Sequence, residues 1–168
     1  MTVLETERLS LRKFTTDDAQ FILRLLNEPS FIRYIGDKQV RNLEDAEAYI
    51  LNGPVASYER NGFGLYLVEL RESYTPIGMC GFLKREELSD PDIGFAFVPE
   101  FWSKGFAFEA AAALLHDARE RLSIRRILAI TSLDNDASIK LLERLGFRFE
   151  QVTQLAADRE PVKLFATA

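Results

Sequence analysis

Apolar and polar residues alternate over residues 8–14, and a period of two predicts a strand there. Thr16 or Asp17 then caps a helix to about residue 27, with Ile22, Leu25 and Leu26 on one face and Pro29 beyond its end. Residues 31–36 form a short aromatic stretch. Asn42 caps a second helix, with Ala46, Tyr49 and Ile50 on its apolar face, reaching about Tyr58 before Asn61-Gly62 breaks it. Residues 64–70 and 76–83 read as two strands of a hairpin joined by a polar turn. A strand over 93–98, a polar loop and a helix over 106–122 follow, with Phe108, Ala112, Leu115 and Leu122 expected inward. Residues 124–132 predict another strand, and residues 135–145 a helix that Gly146 stops. Residues 147–155 and 161–165 read as a closing pair of strands. A hairpin followed by strand, helix, strand, helix and strand predicts an α/β fold whose sheet is mixed and mostly antiparallel, flanked by helices, with one parallel crossover.

Composition narrows the possibilities. A chain of 168 residues, 47% of them hydrophobic, is expected to form one domain over residues 1–168 with a real core. The net charge of −5 and the lack of a basic, aromatic stripe argue against a nucleic-acid partner. Cys80 and His116 are the only residues of their types. That rules out an internal disulfide and leaves a Cys/His metal site short of ligands, so no metal is expected. No signal peptide and no run of about 18 apolar residues is present, so a cytoplasmic location without a membrane partner is expected.

The segment built for chemistry is DIGFAFVPEFWSKGFAFEA, residues 92–110. A strand there ends in a loop that opens a helix. The first N–H groups of a helix lack partners within it, and with the positive end of the helix dipole they suit a phosphate. Gly105 and Ala107 carry little bulk, so an anion can approach the main chain closely.

Trp102-Ser103-Lys104-Gly105-Phe106-Ala107 resembles the acyl-CoA pyrophosphate loop of the GNAT acetyltransferases, in the form found in their RimJ/RimL-like branch of ribosomal-protein N-terminal acetyltransferases. Trp leads that loop as in the branch, while Ser103 stands where Gly is common. Residues 4–19 resemble the family's first strand and helix start, and residues 133–147 its later CoA-contacting segment. The matches run in the family's order over about residues 4–152.

The resemblance implies transfer of an acetyl group from acetyl-CoA to a primary amine by direct attack. It implies cofactor contacts from residues 102–107, with Lys104 adding a charge, and from the backbone N–H groups of Phe97 and Val98, which would polarise the thioester carbonyl. It places Asn135 and Ser138 near the pantetheine arm, although Asn135 equally suits a helix cap. Asp92 stands where the branch often has Glu, and is the candidate general base, acting through water or a strand bulge. Phe31 and Tyr34 are the candidate wall for an amine acceptor, small molecule or peptide N-terminus; they suit the core equally. Many relatives carry a Tyr proton donor where this chain has Leu142. That departure keeps a second reading open, an acyl-CoA-binding sensor without turnover.

Overall fold

The computed structural model describes residues 1–167; Ala168, the last residue of the expected domain, lies outside the described residues. The amino-terminal alternation builds two strands. β1 (Thr2–Glu5) precedes the expected strand and pairs antiparallel with β2 (Leu9–Lys13). A 3₁₀ turn at Thr16–Asp18 leads into α1 (Ala19–Leu26). Thr15 caps that turn: its hydroxyl accepts the Asp17 N–H, and the Asp18 carboxylate accepts the Thr15 N–H in return. The short aromatic stretch is α2 (Pro29–Tyr34). α3 (Leu43–Ile50) starts at Asn42, whose side chain accepts the Asp45 N–H at 2.8 Å. The expected single helix widens into a π turn at Leu51–Val55, where Pro54 lacks an N–H to donate, before α4 (Ala56–Asn61).

β3 (Leu65–Leu70), β4 (Pro76–Leu83) and β5 (Asp92–Phe97) form an antiparallel meander. Its strands approach closely at Gly81, where a Cβ would lie 2.0 Å from the Gly64 carbonyl oxygen. α5 (Phe106–Glu120) crosses over to β6 (Leu128–Ser132), which runs parallel to β5. β6 is shorter than expected, beginning at Leu128. α6 (Asp136–Arg144), β7 (Arg148–Thr153) and β8 (Val162–Ala166) complete an eight-stranded sheet in the order β1-β2-β3-β4-β5-β6-β8-β7. All neighbours are antiparallel except β5 and β6, so the expected mixed, mostly antiparallel architecture is present.

Alternation along the strands feeds two large cores and a smaller cluster of Leu88, Leu128, Leu164 and Ala166 at β6 and β8. One joins Leu9, Leu11, Ile77, Phe82, Ile93 and Phe97 to α5 and to Leu142 of α6. The other joins Leu65, Leu67 and Met79 to α1, Phe31 of α2 and α3 on the opposite face. The inward face of α5 differs in part from expectation: Leu115 is buried as expected, along with Phe106, Ala110, Ala111, Leu114 and Ala118, while Phe108, Ala112 and Leu122 are only half-buried. Alanines let the helix axis approach the sheet, and Phe108 lies at the margin under Arg144, whose guanidinium carbon is 4.5 Å from the ring centre.

Candidate active site

β5 and β6 touch at one point. Asp92 faces Leu128, and the Leu128 N–H donates to the Pro91 carbonyl at 2.9 Å. Beyond it no pairing joins the two strands, so they bound a wedge open toward their carboxyl ends. The ladder to β4 fixes which groups face that wedge. Val98 N–H donates to the Ile77 carbonyl at 3.0 Å. The β4–β5 register then runs unbroken from Gly78↔Phe97 to Leu83↔Asp92. Hydrogen-bonded pairs alternate in an antiparallel ladder, so Ala96 and Gly94 also point at β4, whereas Phe97 and Phe95 point into the wedge. This corrects the expectation for Val98, whose N–H is committed to β4. Phe95 supplies the second N–H, and the unbroken register removes the expected bulge.

The wedge opens onto the loop. A 3₁₀ turn at Pro99–Phe101 leads to Trp102, whose indole N–H donates to the Phe97 carbonyl at 2.7 Å and ties the loop to the end of β5. Ser103 and Gly105 both adopt left-handed backbone, with φ of 62° and 83°. Such turns gather N–H groups into an anion-binding nest. The first helical bond of α5 runs from the Glu109 N–H to the Gly105 carbonyl at 3.0 Å, and N–H groups of residues 103–108 make no main-chain hydrogen bond. Lys104 is exposed and Phe106 is buried, so Phe106 offers the loop its backbone while its ring packs in the core. Residues 102–107 therefore form one turn that leads into α5.

Two side chains from outside the loop hold it. Arg8, just before β2, donates from Nη1 to the Lys104 carbonyl at 3.0 Å and from Nε to Glu109 at 2.7 Å, and lies over the Phe106 ring. Burial by itself would raise the Glu109 pKa; hydrogen bonds from Thr6 and Arg8 outweigh it and hold the carboxyl below its ordinary value.

Asp92 lies at the closed end of the wedge. Ile93 and Phe97 join the core under α5 and Ala96 packs on the opposite core, so alternation puts Asp92 on the face of α1–α3. Its side chain is 1% exposed and accepts from Arg85 Nε at 3.1 and 3.2 Å. Desolvation pushes its pKa up to about 6 against the opposing pull of Arg85. Tyr49 of α3 is nearby: burial raises its hydroxyl to about 12, and Arg85 opposes that shift too.

The two acceptor-wall candidates part company. Phe31 is buried among α1 and α3 as a core residue, whereas Tyr34 is half-buried with the Arg33 guanidinium 4.9 Å from its ring. Arg33 also reaches Asp134, after β6, at 3.3 Å. Asn135 caps α6 by accepting the Ser138 N–H at 3.3 Å, so its capping role is real and commits its oxygen. Ser138 takes part through its backbone. Leu142, where a Tyr donor would stand, is buried in the core. Among the described residues no group of three His, Cys, Asp or Glu is placed to hold a metal. Among them, too, no helix is long and apolar enough to cross a membrane. Sequence reasoning missed Phe95, Arg8 and Arg85 as parts of the site.

The chain belongs to the GNAT acetyltransferase domain family, which it matches over residues 8–148. It is 32% identical over 151 residues to the uncharacterised N-acetyltransferase YoaA of Bacillus subtilis (strain 168), covering 89% of this chain and 85% of that protein. It is also 32% identical over 153 residues to the uncharacterised N-acetyltransferase p20 of Bacillus licheniformis, covering 89% and 84%. The fold matches that of RimL, a ribosomal L7/L12 alpha-N-protein acetyltransferase in complex with coenzyme A, at a TM-score of 0.85 with 20% identity over 99% of this chain and 97% of that one. An acetyltransferase from Agrobacterium tumefaciens str. C58 matches at 0.84 with 23% identity, covering 100% and 94%. The chain is thus a GNAT-type N-acetyltransferase.

Proposed function

We propose that the acetyl donor is acetyl-CoA, that the acceptor is a primary amine, and that the enzyme belongs to the RimJ/RimL-like branch. The observation carrying this reading is the continuity of the wedge: a nest of free N–H groups at its mouth, the N–H groups of Phe97 and Phe95 along its wall, and Asp92 at its floor. The fit to a CoA rests on the nest and on Gly105, whose left-handed backbone leaves the main chain bare. In this reading residues 102–107 hold the pyrophosphate, and the Asn135 amide nitrogen and Ser138 meet the pantetheine arm. The Phe95 N–H donates to the thioester oxygen, where negative charge builds as the amine attacks. Asp92 lies about 10 Å from Phe95, at roughly 3.3 Å per residue, a span one or two waters bridge. It takes the proton that the acceptor nitrogen loses. Tyr34 lines the acceptor side. With Leu142 in the core, the sulfur departs as a thiolate and is protonated from water.

The test is thiol release by the purified protein with acetyl-CoA against a panel of amines, including peptides with free N-termini and polyamines. Amine-dependent release is the expected result. The buried Leu142 favours one rival, a sensor domain that binds acyl-CoA without turnover. Tight CoA binding with no release for any acceptor decides for the sensor.

A further inference from the structure

We infer that Arg8 and Glu109 form a latch that sets the loop's shape for a pyrophosphate, making this pair positioning residues for the ADP half of the coenzyme. The inference rests on the reading of residues 102–107 as the pyrophosphate site.

A nest works only if its carbonyls point away from the anion. Lys104 stands between the two left-handed residues, Ser103 and Gly105, and its carbonyl is the one held by Arg8 Nη1 at 3.0 Å. The guanidinium is itself fixed twice more. Its Nε donates to Glu109 at 2.7 Å, and its carbon lies 4.3 Å from the centre of the Phe106 ring. A Cβ on Gly105 would come within 3.3 Å of Nη2, so the latch closes directly against the loop.

Glu109 completes the other half. Its second oxygen accepts the Arg8 N–H at 3.0 Å and the Thr6 hydroxyl, and that hydroxyl accepts the Leu9 N–H at 3.0 Å. The turn before β2 is thereby bound to the first turn of α5. Charge follows the same logic. A bare carboxylate one turn into α5 would repel an incoming pyrophosphate, whereas the ion pair with Arg8 cancels that field. Both side chains stay in contact with solvent, 43% and 20% exposed, so the pair is not a core strut.

Titration calorimetry with CoA and with pantetheine, which lacks the ADP half, tests this in the full chain. The wild type should prefer CoA. In Arg8→Ala and in Glu109→Ala that preference should fall about tenfold, the scale of one lost charge-assisted hydrogen bond, with pantetheine affinity held. Arg8→Lys, which keeps the charge but cannot span both acceptors, should behave as Arg8→Ala. Full CoA affinity in Arg8→Lys, or equal or tighter binding in Glu109→Ala, would show that Arg8 acts only as a free cation and overturn the latch. Equal loss of both ligands would reduce the pair to a general brace and overturn it too. A wild type without preference for CoA would sink the pyrophosphate reading itself.

Discussion

Burying a carboxylate to 1% exposure disfavours its charged form, and Asp92 shows the result in a pKa of about 6. A base must be deprotonated to work. If Asp92 is that base, kcat should fall as pH drops through about 6, well above the range of an exposed aspartate. Arg85 opposes the shift, so Arg85→Met should move the acidic limb to still higher pH. Asp92→Asn should lower kcat by about a hundredfold, in the range of general-base losses, with CoA affinity unchanged. A pH–rate profile of each variant on a confirmed acceptor checks the set. An acidic limb that survives in Asp92→Asn would move the base elsewhere. The residue type and place of Asp92 are readable from the chain, because it opens an alternating strand. Its partner is not: Arg85 lies in the charged connection before that strand, where nothing in the pattern distinguishes it from its neighbours.

The elements around the wedge divide into those with a local signature and those without. The loop and the start of α5 are legible because small residues at Gly105 and Ala107 follow an alternating strand. The N–H groups that face the wedge are not, because their phase is set by the register of β5 on β4, and a shift of one residue would swap Phe95 for Gly94. The latch is equally silent: Arg8 and Glu109 are 101 positions apart in sequence. The inner face of α5 misleads in another way. Phe108 and Leu122 look like anchors, yet the buried face is made by Ala110, Ala111 and Ala118 together with Phe106, Leu114 and Leu115, the alanines letting the helix come close to the sheet. On α6, Asn135 has two jobs to separate. Asn135→Ala should cost about 1 kcal/mol of stability through the lost cap. If its amide nitrogen also meets the pantetheine arm, CoA affinity should drop further than that destabilisation explains. Melting curves run with and without CoA separate the two, and a shift induced by CoA that matches the wild type leaves only the cap.

At the scale of the molecule, the mixed sheet was readable from the order of strands and helices, with β1 the one strand the pattern did not announce. The wedge was not readable, because what distinguishes it is the absence of pairing between β5 and β6 beyond one bridge. That single bridge has a mechanical meaning. β1 to β5 form one continuous antiparallel unit, and β6, β8 and β7 form another. Between them stand the Asp92–Leu128 contact, the Arg126–Asp90 ion pair and a core on α5 and α6 that both units share, Ala129 and Phe165 from the far one packing with Phe82 and Ile93 from the near one. The sheet is therefore two cooperative blocks joined at a seam, and the blocks should open to solvent independently. Amide hydrogen exchange should show β6, β7 and β8 exchanging together and faster than β2 to β4. A ligand lying along the seam and touching both walls would fasten the blocks, so CoA should slow exchange in the far block at amides it never touches. Uniform slowing over all eight strands, or none beyond the contact residues, would mean that the sheet opens as one piece.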